Sequence, residues 1–176
     1  FAYDSGVDQD DSDMIISGKF QLPIERASSV AIGGNAQLLQ FEGNSENVFQ
    51  IYLAATYPGN FFQMPAQTTF VIGKSFGDPV PDEDIDFGMG FDLLLFPEVL
   101  QGYVHWINDF ANFSYSYNAA GADAGNRGVF NTGIRIDLSA SPLLSRYKAV
   151  IDAIVTDALD DDRAFALGAV FGVPLR

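Results

Sequence analysis

Cysteine is absent. That excludes disulfide staples, zinc–thiolate sites and thiol nucleophiles. Basic residues are scarce: nine Lys and Arg stand against 23 Asp and Glu, a net charge of −14. Phosphate-based binding of nucleic acid is built on Lys and Arg, so it is excluded as a function class. An anionic membrane surface is disfavoured on the same ground. No apolar run approaches the ~20 residues of a membrane-crossing helix, and the expectation is a chain with no membrane span. Histidine occurs once, as His105. No nucleophile elbow, phosphate-binding loop or dinucleotide fingerprint appears, so a non-enzymatic role is expected.

What the chain has in quantity is apolar and aromatic material. Of 176 residues 48% are hydrophobic, and 16 are Phe. That suits one folded domain rather than a disordered chain. Apolar residues recur at every second position. Met14, Ile16, Phe20, Leu22 and Ile24 share one parity, with Gly18 among them, opposite Ser17, Lys19 and Gln21. Phe49, Ile51, Leu53, Ala55 and Tyr57 form a second row, and Phe62, Met64, Ala66, Phe70 and Ile72 a third. Further rows are Phe87–Leu95, Phe113–Tyr117, Phe130–Leu138 and Phe165–Val173. Side chains alternate across a strand, so each row is a β-strand with one apolar face. Gly33-Gly34-Asn35 and Tyr57-Pro-Gly-Asn60 carry turn chemistry. No fixed repeat is visible.

Residues 142–159 admit two readings. Ser141-Pro142 and an apolar stripe from Leu143 to Leu159 suit a helix. The β-branched residues Val150, Ile151, Ile154 and Val155 suit a strand, with Asp160–Asp162 as a turn and 147–157 pairing with 164–175. The expected fold is all-β: a two-sheet antiparallel β-sandwich of jelly-roll type, with at most one helix near 142–159. Residues 1–13 read as a flexible acidic leader before a single domain over 14–176.

Function is less legible. His105 lies beside Trp106, and as a general base it would need an oriented acid, with Asp109 the nearest candidate. A packed structural histidine is the simpler reading. Asp82, Asp84 and Asp86 are candidate Ca²⁺ ligands, as are Asp8, Asp10, Asp11 and Asp13. Solvated loops explain them equally. Asn112-Phe113-Ser114 is a glycosylation sequon. The rich β-core and the lack of a catalytic grouping suggest a structural subunit of a filament or capsid, extracellular, at the cell surface or in a virion, assembling with copies of itself or with other structural subunits. Met14, Ile16, Gly18, Phe20, Leu22 and Ile24 would then form a donor strand for a neighbouring subunit. The alternative is that 14–24 is simply the first strand of its own sandwich. The rival class is a Ca²⁺-dependent carbohydrate-binding module with Trp106 or a Tyr exposed beside the ion.

Overall fold

The computed structural model describes residues 2–5, 12–23, 28–41, 44–77, 85–112, 128–159 and 163–173. Ten strands follow one another: β1 (Ala2–Ser5), β2 (Ser12–Gln21), β3 (Ser29–Phe41), β4 (Asn44–Phe61), β5 (Met64–Phe76), β6 (Asp86–Leu94), β7 (Val104–Ala111), β8 (Val129–Asp137), β9 (Lys148–Thr156) and β10 (Ala164–Gly172). One short helix, α1 (Pro97–Leu100), lies between β6 and β7, and a 3₁₀ turn follows β8 at Leu138–Ala140. Each strand pairs antiparallel with its neighbours in sequence, giving one sheet in the order β1 to β10. The sheet is curled into a half-barrel.

This corrects the two-sheet sandwich. Alternation identifies strands but does not say whether they divide between two sheets or run on in one. Short connections here decide for a meander, since two-residue links such as Phe62-Gln63 can only join adjacent strands. Of the two readings of 142–159, the structure shows the hairpin: β9 pairs with β10 from Lys148↔Gly172 to Thr156↔Ala164. Within the acidic leader, Ala2–Ser5 form β1 against Ile15–Ser12.

Two expected turns lie inside strands. Gly33 and Gly34 sit in mid-β3, opposite Lys19 and Gly18 on one side and Tyr52 and Ile51 on the other. Gly33 is needed there because a Cβ would stand 2.5 Å from Cζ of Tyr52, whose ring covers that position. Tyr57-Pro-Gly-Asn60 continues β4, with Pro58 opposite Gln67 of β5. The pairing of β3 with β4 starts at Ser29↔Thr56, so among the described residues β4 beyond Thr56 has a partner on one side only. Proline is tolerated on such an edge because one side of the strand needs no ladder donor. The reversal comes instead at Phe62, whose φ of 51° is left-handed.

Cross-strand partners share a face, so register assigns every strand residue to one side of the sheet. One face carries Ile16, Phe20, Ile32, Phe49, Ile51, Leu53, Phe70, Ile72, Phe87, Met89, Trp106, Ile134, Ile136, Ile151, Phe165 and Leu167, all exposed. The other carries Asn35, Gln37, Gln50, Ser75, Asp86, Asp92, His105, Asn131, Arg135 and Asp152. Buried apolar side chains among the described residues are few and mostly small: Ala66, Leu93, Ala149 and Val150. Gln37, Gln50, Ser75, Asp86 and Asp152 are buried. The buried polar side chains thus lie on the polar face, which we assign to the concave side of the curl, while on the apolar, convex face burial is confined to Ala66, Leu93 and Ala149 among the described strand residues.

Candidate functional site: the polar concave face

Hydrogen-bonded side chains cross the concave face from strand to strand. On its first half, Asn35 of β3 donates from Nδ2 to Oε1 of Gln50 on β4 at 2.7 Å. Gln50 donates from Nε2 to Oδ2 of Asp86 at 2.7 Å and to Oγ of Ser75 at 3.3 Å. Ser75 donates to the same Asp86 oxygen at 2.5 Å. A buried carboxylate is stable when such donors satisfy it. Gln37, two residues along the same row of β3, is only 5% exposed, and among the described residues its Nε2 has no partner. Thr56 and Thr69 bond across β4 and β5 at 2.8 Å.

The second half holds charges. Asp92 of β6 receives His105 Nδ1 at 2.6 Å, with Nη1 of Arg135 3.6 Å from its other oxygen. Arg135 of β8 also grips Asp152 of β9 in a fork, Nε and Nη2 each at 2.8 Å. The planar guanidinium suits two parallel bonds to one carboxylate. Asp109 of β7 accepts from Asn131 at 2.9 Å, and Asn131 in turn accepts the backbone N–H of Asp157 at 2.8 Å. Among the described residues, Asp86 and Asp109 take part in no ion pair.

The convex face has one polar chain of its own. Trp106 donates from Nε1 to Thr132 at 3.0 Å, and Thr132 donates to Asn108 at 2.7 Å. These groups satisfy one another, so the surrounding surface stays effectively apolar. Among the described strand residues, Lys74 is the one charged side chain of this face, two positions from the end of β5.

The expected site residues fall as follows. Asp92, not Asp109, partners His105. His105 and Trp106 point to opposite faces, as neighbours in a strand must. Asp86 joins the Gln50–Ser75 network, whereas Asp82 and Asp84 lie outside the described residues, as do Asp8, Asp10 and Asp11. Among the described residues, no group of three or more His, Cys, Asp or Glu is arranged to hold a metal ion. Asn112 uses its amide to bond the backbone of Phe87 and Ile85, at 2.7 and 2.9 Å, while Phe113 and Ser114 are outside the described residues. Met14, Ile16, Gly18 and Phe20 lie in β2, laddered to Leu38, Ala36, Gly34 and Ile32 of the same chain. Leu22 follows the strand, with its N–H bonded to Val30, and Ile24 is outside the described residues. Sequence reasoning missed Asp92, Arg135 and Asp152. Their signal was present: each stands in the polar row between apolar neighbours, as Arg135 does between Ile134 and Ile136.

Comparison with known proteins adds little beyond the fold. No protein-family profile and no curated protein matches the chain. A solved structure similar in fold is the Acinetobacter baumannii outer membrane protein Omp33, at a TM-score of 0.48 and 15% identity, covering 95% of this chain and 73% of that one. Among the described residues no helix is long and apolar enough to cross a membrane, which says nothing of strands.

The expectation of an extracellular or virion filament or capsid subunit without a membrane span is therefore corrected, and with it the carbohydrate-binding alternative. The apolar rows do not meet a second sheet of this chain. They face outward from a single meander. Nothing in the fold supports a homopolymer.

Proposed function

We propose that this chain is a membrane-embedded β-barrel protein, its convex face in lipid hydrocarbon and its concave face turned to the interior. The inverted distribution of polarity carries the reading: Ile51 is 61% exposed and Leu167 85%, while Gln50 and Asp86 are 4% and 5% exposed. Water would penalise such a surface at roughly 25 cal/mol for each Å² of apolar area. In hydrocarbon the penalty vanishes, and polar groups are favoured inside. Outward-apolar, inward-polar alternation is the pattern of membrane barrels, which need strands of about 9–11 residues. β6, β8, β9 and β10 have nine residues each. Lys74 lies near a strand end, from which its long stem reaches the interface.

Hydrocarbon does not tolerate an open sheet edge, because unpaired backbone N–H and C=O groups have no water to turn to. The edges here belong to β1 and β10. With ten described strands β1 and β10 run antiparallel, so pairing of β10 with β1 would close the sheet there. The acidity that argued against a membrane surface does not oppose this, because the face offered to lipid carries no acid among the described strand residues.

Trp106 provides the test. It is the single Trp of the chain, and it lies on the convex face. With the protein in liposomes, its fluorescence is expected to be blue-shifted and quenched by lipids brominated on their acyl chains. Quenching by aqueous iodide with no response to brominated lipid would sink the proposal.

A further inference from the structure

The reading above leaves open what the interior does. We infer that the concave face lines a water-filled path that passes small monovalent cations in preference to anions, with Asp109 and Asp86 as attracting charges and Arg135 as their counterweight. The inference rests on the membrane-embedded reading.

Three observations carry it. Space comes first. Eight strands make a barrel that side chains just fill, and ten make a wider one. The concave rows add no bulk at Gly88, Gly90 and Gly168, which register places on that side. Water comes second. Gln37 Nε2 is a buried donor without a protein acceptor among the described residues, although Asn35 and Gln50 of the same face bond each other. An orphaned buried donor costs about 1–3 kcal/mol, so water in the concave space is its natural partner. Charge comes third. Arg135 neutralises Asp152 in a two-point bond and faces Asp92 as well, and His105 occupies the other oxygen of Asp92. Among the described residues, Asp86 and Asp109 are held by neutral donors, Gln50 and Ser75 in one case and Asn131 in the other. No cation among the described residues pairs with either, Asp109 lies exposed on the wall and Asp86 buried just behind it, and a low-dielectric wall focuses their field into the path.

The test is reversal potential in planar bilayers holding the full chain, under a KCl gradient, with flotation on liposomes run in parallel. The expected sign is that of K⁺ permeation. Asp109→Asn, at an exposed position that keeps its bond to Asn131, is expected to move the potential toward zero. Arg135→Gln is expected to move it further toward the K⁺ limit; should that variant fail to fold, Asp109→Asn still decides. Anion preference, or a preference unchanged in Asp109→Asn, would overturn the inference. Protein that floats with liposomes but conducts nothing also overturns it, while leaving the membrane-embedded reading intact. Protein that does not float overturns that reading itself.

Discussion

At the scale of single residues, packing on the concave face is governed by where side chains are missing. The ring of Tyr52 lies over Gly33, its partner on β3, and Gly73, its partner on β5, leaves room beside its Cβ. A large side chain between two glycines restores contact that bare backbone lacks. Gly33→Val is expected to destabilise the protein by about 1–3 kcal/mol through overpacking. Tyr52→Ala should relieve most of the added cost, so a double-mutant cycle in detergent-solubilised protein would give a coupling well above 0.5 kcal/mol. Additive single effects would refute the contact. This pair was not legible from sequence: Gly33-Gly34-Asn35 has the chemistry of a tight turn, and only a tyrosine brought from another strand explains it as strand. The network around Arg135 was half legible. A lone arginine between two isoleucines marks a polar position, but nothing local says that Asp92 and Asp152 come from either side to meet it.

At the scale of the element, the period-two rows that fall in the described strands were legible and their orientation was not; the Phe113–Tyr117 row lies outside the described residues. Alternation divides a strand into two faces without saying which one meets solvent, and the habit of soluble proteins supplied the wrong answer. The strand β4 shows this. Leu53 has Ile32 and Ile72 as cross-strand neighbours, an arrangement that would serve equally in a core or against lipid. Here it is 47% exposed. Leu53→Arg is therefore expected to impair folding into liposomes by about 2–4 kcal/mol, the cost of a cation near the bilayer midplane. Ala54→Ser, one position along and facing inward, should have little effect. If both substitutions behave alike in a denaturant titration of the liposome-bound protein, the assignment of faces is wrong. The β9–β10 hairpin was legible as one of two readings. β-branched residues and the unfavourable place of Asp160–Asp162 at a helix C-terminus both pointed to it.

At the scale of the molecule, the composition hid the architecture. A net charge of −14 and a hydrophobic content of 48% suit an acidic soluble protein as well as a barrel, because composition does not record which side a residue takes. Closure of the sheet is the property that hydrogen exchange can read. In β10, amides that point toward β9 are bonded in any case, and the alternate ones point to the free edge. In liposomes, all amides from Ala164 to Gly172 are expected to be protected comparably with those of β9. Fast exchange at every second position would mean that the edge stays open.

The meander has a kinetic consequence. Since each strand bonds only the strands next to it in the chain, every ladder closes over a short contour. Chains of such low contact order search little conformational space. Zipping can begin at any hairpin and spread both ways, and lengthening a connection such as 112–128 costs only about 0.6 kcal/mol per doubling. The exception is the proposed closure of β10 on β1, a pairing that would span the whole contour. It would form last, and the time a closed wall takes to become leak-tight would be set by how long β1 and β10 need to find each other.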